Sequence, residues 1–526
     1  RNGSGIARNG LAQKQDDENY NRLYENTLSY DTKVFNNIRL SAIAGYSYQS
    51  FLNNGMIIQA GDFISDVNAE NIFNAGDLKN GKADARSYTD GSRLIAFFGR
   101  LNLNYNDVAY LSTSLRREGS TRFGENNKWG MFPSISGGVD ISRLTNIPKV
   151  SLLKVRASYG EAGALPAESY LSFLRYEPAG NSFPYNGAYT PSYGPTRNQN
   201  ADLKWERKAE FDAGVDFALL DSRLTGSVDY YNRKTKDLLF LVNVPVPPNL
   251  APQTWMNIGT LESKGIEVLL GYDVIKATKL NWNTSVNFSS YNVKLASLNK
   301  ELAGNFVGAS NLGSPGQEQT QITRAVEGEK IGIIWGARYM GLDGSGNYLF
   351  DDGTGKPVSS DAYKTVIGNG LPKFELGWTN TFRYGNFDLN FFLRGSFGHD
   401  LVNTYRAFFE TSQPTVIASY NPVKTKYYDP NLKSPLTFSS LYVERASFVK
   451  LDNATLGYNF DFKNGGPINS LRVYFNGQNL FVITDYTGVD PEVRYIYNNN
   501  ILAPGVDARD TWVRTRSYTL GVNLKF

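Results

Sequence analysis

No cysteine occurs among the 526 residues, histidine occurs once, and there are four methionines. The missing cysteine excludes a disulfide scaffold, a cysteine-ligated metal domain and a thiol nucleophile; it fits an exported protein that uses no disulfides. Nowhere do 18 consecutive apolar residues occur, so no helix can span a bilayer. An excess of one charge is lacking too. The 54 basic and 50 acidic residues leave a formal +4, with no long block of either sign, and the run Asp16-Asp17-Glu18 reads as a solvated turn. No basic stripe or reader motif appears, which argues against nucleic-acid binding. The opening Arg1 is followed by Asn-Gly-Ser-Gly without a signal-like apolar region, as expected of a mature or partial sequence.

What is abundant points to strands. The chain holds 33 Tyr, 31 Phe and 50 Gly, and Asn-Gly and Asp-Gly pairs recur throughout, a composition that favours an all-β fold. Alternation then sorts faces. Ile38, Leu40, Ala42, Ala44, Tyr46 and Tyr48 share one side of a strand, and Arg39, Ser41, Ser47 and Gln49 the other. The pattern returns at Leu101, Leu103 and Tyr105, at Leu224, Val228 and Tyr230, and at Phe387, Leu389, Phe391 and Leu393. These runs reach roughly ten residues or more, the length of a tilted membrane-crossing strand, whereas strands of a soluble sandwich average about 5 to 6. Length therefore favours a transmembrane antiparallel β-barrel.

The connections alternate between short and long, as in bacterial outer-membrane barrels. Tight turns are expected near Val34 to Asn37, Asn106-Asp107, Thr145 to Lys149, Asp221-Ser222, Val274 to Thr278, Gly385-Asn386 and Lys463 to Asn469. Long extracellular excursions are expected at 51–92, 119–131, 161–203, 237–256, 293–372, 399–440 and 481–511. This arrangement predicts about 15 strands, the last over Thr511 to Phe526. With both ends of an intact barrel on the periplasmic side the strand number is even, so about seven strands would lie upstream if the barrel is the 22-stranded plugged type. Parity also places Ile331 to Met340, strand-like in itself, inside the 293–372 excursion.

Tyr518, Leu520, Val522, Leu524 and Phe526 alternate with polar or small residues and end on the aromatic. They look like the terminal signal read by the barrel-assembly machinery; an ordinary amphipathic last strand is the competing reading.

Ordered fragments along the chain carry a more definite resemblance. Leu203-Lys-Trp-Glu206, Phe211-Asp-Ala-Gly-Val-Asp-Phe217 and Leu224 to Thr235 come first to attention. With them go Leu115 to Gly124, Phe132-Pro-Ser134, Leu153 to Gly160, Asn257-Ile-Gly259, Lys264 to Glu267, Ile367-Gly368 and Leu371-Pro372. Ala446 to Leu451, Leu456 to Tyr458, Gln478 to Phe481 and Tyr486-Thr-Gly-Val-Asp-Pro-Glu-Val493 complete the series. Together they resemble the barrel of SusC/RagA-type TonB-dependent outer-membrane transporters of Bacteroidota. The resemblance implies a plugged 22-stranded barrel importing an oligosaccharide or peptide ligand. It implies a SusD-like surface lipoprotein as lid, the TonB-ExbB-ExbD system as energy source, and outer-membrane lipid around the wall. Residues 1–526 correspond to the carboxy-terminal part of one barrel domain; the family's plug, TonB box and first strands have no counterpart in them.

Candidate sites are few. Asp343-Gly-Ser-Gly-Asn347, Asp351, Asp352 and Asp361 offer oxygen ligands at close spacing, yet the full D-x-[DN]-x-[DN]-G pattern is absent. Relatives carry a fuller version, so calcium in the 343–361 loop is an expectation from resemblance, set against a plain glycine-rich turn; no cofactor is required. Tyr176, Phe183, Tyr185, Tyr189 and Tyr193, interleaved with Pro178, Pro184 and Pro191, suit a stacking platform for sugar rings or a docking surface for the lid. The competing reading packs these rings on their own loop. Pro245, Pro247, Pro248 and Pro252 suggest a stiffened outer loop. Arg39, Arg116 and Arg394 are candidate contacts for a polar solute on the wet face. Catalysis finds no support: His399 has no nucleophile elbow near it, and Gly353-Thr-Gly-Lys-Pro357 lacks P-loop spacing. Two functions remain, an energised importer and a structural barrel subunit of a larger outer-membrane assembly.

Overall fold

The computed structural model describes the chain except residues 1–9, 36, 62, 64–83, 167, 179–182, 191, 300–305, 315, 411–422, 463–466, 493–503, 508 and 510–512. Fifteen long strands pair strictly in sequence order into one antiparallel meander. They are β1 (Leu11–Val34), β2 (Ile38–Gly61), β3 (Asp84–Tyr105), β4 (Ala109–Ser120), β5 (Trp129–Asp140), β6 (Val150–Ala164), β7 (Glu206–Leu219) and β8 (Leu224–Lys236). There follow β9 (Gly259–Lys276), β10 (Leu280–Leu298), β11 (Phe374–Tyr384), β12 (Phe387–Phe397), β13 (Phe448–Asp461), β14 (Ser470–Thr484) and β15 (Ser517–Lys525). The expected strand number and order are met.

Each strand presents an apolar face by alternation, and register joins these faces into belts. Val139 faces Val155, Val155 faces Val215, Val215 faces Val228, Val228 faces Val268, and Val268 faces Phe288. This unbroken row of branched and aromatic side chains crosses six neighbouring strands. Many of its members stay exposed, Val155 by 45% and Val228 by 42%, so the apolar side of the sheet is turned outward, as a lipid-facing wall requires. The alternate residues carry the charge.

Short links close one end of the sheet. At Asn106 and Asp107 both φ angles are positive, the geometry of the primed turns that match strand twist, and Asp107 N donates to Asn104 Oδ1 at 2.8 Å. Residues 220–223, 277–279 and 385–386 make equally tight connections. The turn expected at 145–149 belongs to a longer link, 141–149, that opens with the helical turn Ile141–Arg143; Asn36 of the turn expected at 34–37 and residues 463–466 of that expected at 463–469 lie outside the described residues.

The long links at the opposite end correct several expectations. β1, β2 and β3 run 24, 24 and 22 residues, a reach of ~70–80 Å, so much of the 51–92 excursion is strand. Pairing persists from Val34 against Ile38 to Leu11 against Gly61. The run Asp16-Asp17-Glu18, expected as a turn, lies inside β1, where the β2 backbone satisfies it and Tyr88 donates to Asp17. The link expected at 119–131 is only 121–128, no longer than 141–149 at the other end; β4 and β5 stay paired up to Gly119 and Trp129. Ile331 to Met340 is no wall strand, as parity required. Ile333–Gly336 joins a small sheet with Gln321–Val326 and Thr365–Asn369, and Tyr339–Leu342 joins another.

The apolar cores sit mainly in these long links. Leu312, Ile322, Ile334, Val402, Phe438, Tyr442 and Val506 form one buried cluster shared by links 299–373, 398–447 and 485–516. Leu238, Val242, Ile258, Leu295, Ala325 and Ile331 form another across 237–258, the end of β10 and 299–373. The outer end is thus a folded cap.

Val228→Arg, on the outward belt, should destabilise the sheet by ~2–4 kcal/mol, and Ser227→Arg, on the other face, by far less; urea unfolding of the protein in lipid checks the difference.

Candidate functional site

The charged face of the sheet is built from ion pairs between neighbouring strands. Arg156 on β6 lies against Asp212 at 3.2 Å and Asp216 at 3.1 Å on β7, and Asp229 at 2.6 Å on β8. Asp212 and Asp216 are four apart on one strand and therefore project to the same side. Arg233 pairs with Glu210, and Arg472 with Asp388 across β13. Such pairs hold cations and anions at fixed places on a wet wall.

The densest cluster joins this wall to the cap. Arg394 on β12 donates to Asp452 on β13 and to Glu492 in the 485–516 link. Lys450, almost fully buried, donates to Glu492 at 3.0 Å, and Arg514 reaches Glu492 at 2.9 Å and Asp490 at 2.8 Å. Glu492 is the hub. Its own backbone amide is held by Asp490 Oδ1 at 2.9 Å, which fixes the turn that aims its carboxylate at the wall. Burial pushes the Glu492 carboxyl up, but hydrogen bonds from Arg394 and Lys450 outweigh this and hold it at about 2. Beside the hub lies a polar cavity of about 390 Å³ lined by Glu375, Arg394, Ser396, His399, Phe448 and Glu492 among others. Such a volume suits a small polar group, with an aromatic ring as one wall and opposed charges at the rim.

A second clasp binds two parts of the cap. Glu444 accepts from Thr487 N, Thr487 Oγ1, Asn403 Nδ2 and Arg406 Nη1, all within 3.1 Å. Burial raises this carboxyl, and the Arg406 and Thr487 hydrogen bonds overcome that rise and leave it below the usual carboxylate range. Arg406 also pairs with Glu410 at 2.9 Å.

The motif fragments prove to be the joints. Trp205 packs on Phe123 and Phe132, with ring centroids 4.5 and 5.4 Å apart. Asn257 ties the backbone of Lys204 and Asp237 together. Asn198, also buried, bridges to Ala251, Gln253 and Thr254.

The candidates from sequence are scattered. Arg394 stands at the wall–cap hub. Arg116 pairs with Glu118 on its own strand and lies over the Phe98 ring. Arg39 sits exposed near the short-link end, 3.8 Å from Asp31, remote along the strand from the cap. Tyr185, Tyr189 and Tyr193 are 62, 71 and 72% exposed. The reading that packs these rings on their own loop is corrected: Phe183–Tyr185 and Ala188–Thr190 form a bare hairpin around Asn186-Gly187, too thin to bury its own side chains. Pro191 lies outside the described residues.

Asp351 Oδ1 accepts from Gly353 N and Gly355 N, and Asp352 Oδ1 from Thr354 N and Lys356 N. Asp343 closes a similar turn, and Asp361 pairs with Lys364. These carboxylates shape turns, and among the described residues no three or more acidic or histidine groups gather as a metal site. Tyr518, Leu520, Val522, Leu524 and Phe526 all lie exposed at the edge; Phe526 falls one residue past β15.

Sequence reasoning missed Lys450, Asp452, Asp490, Glu492 and Arg514. Their partners come from strands and links far apart in the chain, and the only local signal was the Asp490-Pro-Glu492 turn. At neutral pH Glu492→Gln should cost ~3 kcal/mol of clasp pairing, the equivalent of the displacement from 4.5 to about 2. The folded value is lowered, so this contribution is full above pH ~4.5 and fades as pH falls toward 2. Limited proteolysis of the 485–492 segment across pH checks both the loss and its window.

Comparison with known proteins agrees with this architecture. Residues 1–480 match the family described as TonB dependent receptor-like, beta-barrel. TonB-dependent receptor P3 of Formosa agariphila is 32% identical over 543 residues, covering 96% of this chain and 52% of that protein. TonB-dependent receptor SusC of Bacteroides thetaiotaomicron is 29% identical, covering 84% of this chain and 44% of its own length. The chain spans about half the length of these curated relatives. Among solved structures, the RagAB peptide transporter superposes with a TM-score of 0.83 at 22% identity, over 98% of this chain and 56% of the other. The chain belongs to the TonB-dependent receptor-like β-barrel family, and its fifteen strands are wall of a bacterial outer-membrane barrel.

Proposed function

We propose that this barrel imports an oligosaccharide or peptide across the outer membrane, energised through TonB-ExbB-ExbD and working with a SusD-like surface lipoprotein. The observation that supports the reading best is the joint between wall and cap. Arg394, Lys450, Asp452 and Glu492 pin the 485–516 link onto the charged face, and a polar cavity opens beside them. A purely structural barrel has no need of an opposed-charge pocket beneath a folded cap, whereas an importer must bind a polar solute where the outer loops meet the lumen. The likeness to receptors named for TonB dependence, and to a peptide transporter in fold, supports the same direction. Tyr185, Tyr189 and Tyr193 would offer the first contact, since exposed rings stack on sugar faces or peptide side chains at little ordering cost.

Cells carrying the full-length protein should lose uptake and growth on the cognate oligosaccharide or peptide when TonB is deleted. Alanine at Tyr185, Tyr189 and Tyr193 together should weaken capture tenfold or more while leaving barrel abundance unchanged. Growth that survives TonB deletion, with membrane assembly failing instead when the barrel itself is removed, would establish the structural subunit in place of the importer.

A further inference from the structure

Asp507 is the anomaly of the cap. It is fully buried, in the two-residue strand Val506–Asp507 that runs parallel to Asp400–Asn403, with Val402 against Val506 and Asn403 against Asp507. That short bridge joins the 485–516 link to the 398–447 link. The side chain of Asp507 accepts from Tyr486 Oη at 2.6 Å through Oδ2, while Oδ1, equally buried, has no hydrogen-bond partner among the described residues. The backbone oxygen of Asp507 accepts from Thr404 Oγ1.

Among the described residues, every carboxylate packed around it has a basic partner, and Asp507 alone has none. Glu444, on Val443–Arg445, has Arg406. Asp490, on the 485–492 turn, has Arg514. Tyr486 supplies a hydroxyl, Asn403 and Thr404 supply no charge, and Tyr405 turns its own hydroxyl to Arg509 O. Arg509, two residues on, spends its guanidinium on the carbonyls of Leu312 and Gly313 and on the Phe408 ring. A carboxylate left without a cation in an apolar joint is costly; a neutral carboxyl there is not.

We propose that Asp507 makes this junction a proton-sensitive brace, holding the two cap links together more tightly in mild acid than at neutral pH. Protonation removes the uncompensated charge and turns an acid that can only accept into a group that can also donate. Burial pushes the Asp507 carboxyl up, hydrogen bonds from the Tyr486 hydroxyl and the Val489 backbone amide offset only part of that, the charges of Asp490 and Glu444 add to the rise, and it settles at about 6. With the folded value raised, the stabilising proton is bound below pH ~6 and lost above it. The Glu492 clasp fails only below pH ~4.5, so the interval between is governed by Asp507.

Hydrogen–deuterium exchange of the full-length protein in detergent, corrected for the intrinsic pH dependence of exchange, tests this. Amides of 400–403 and 505–507 should open about tenfold more often per pH unit between pH ~4.5 and ~6 and level off above, while those of β3 and β4 show no such step. Asp507→Asn should hold the segment in its acid-like protection at every pH. Tyr486→Phe, which removes the donor to the carboxylate, should move the step to higher pH. A flat wild-type profile, protection that rises with pH, or an unchanged step in either variant would overturn the proposal, and none of these outcomes depends on whether the barrel transports anything.

Discussion

Within a bilayer no water reaches the backbone, so every amide and carbonyl of the wall must find its partner in the next strand. That constraint dictates the rest. It explains why the strands follow one another in a strict meander and why each pairs with its neighbour along most of its length, with only local bulges such as those at Phe392-Leu393 and Leu451 to Asn453. It also explains the side chains, because a wall solved by its backbone needs only an apolar outward row, such as Val139 through Phe288, and leaves the other face free for chemistry.

On that free face, charge is organised by adjacency. Arg156 serves three carboxylates on the next two strands, and the Arg394 and Lys450 pair serves carboxylates from both wall and cap. The cap obeys another rule. Above the membrane its links are wet outside and must make cores of their own, so Tyr442, Val402 and Val506 pack from different links into one cluster. Buried polar groups then set which links can separate: Glu444 and Glu492 are anchored by basic partners, while Asp507 is held by uncharged donors, the Tyr486 hydroxyl and the Val489 backbone amide.

The wall was legible in the sequence because its rules are local. Period-two alternation identifies Leu101, Leu103 and Tyr105 as one face whatever lies elsewhere, and Asn106-Asp107 marks its turn unaided. Strand ends were less legible, since outside the bilayer nothing forces alternation: Asp16 to Glu18 lie in a strand that simply continues because β2 continues beside it. The site was scarcely legible. Arg394 could be named as facing the wet side, but Glu492 lies 98 residues further on, and no periodicity spans such a gap. Nor does alternation say whether a ring is covered, which is how the tyrosines of the 183–190 hairpin were given a packed reading although they stand bare.

The meander has a consequence for how the protein is made. Each of the fifteen strands pairs only with its neighbours in sequence, so most of the wall's closures are hairpins whose ends are near in the chain. Loop-closure cost is met in small instalments, and no stage requires a strand to be threaded between two already in place. A wall of this kind can grow by accretion at its edge, one hairpin at a time. The cap, whose cores draw on links separated by more than a hundred residues, has to await the wall that brings them together. Assembly order is therefore written into connectivity: staves first, cap last.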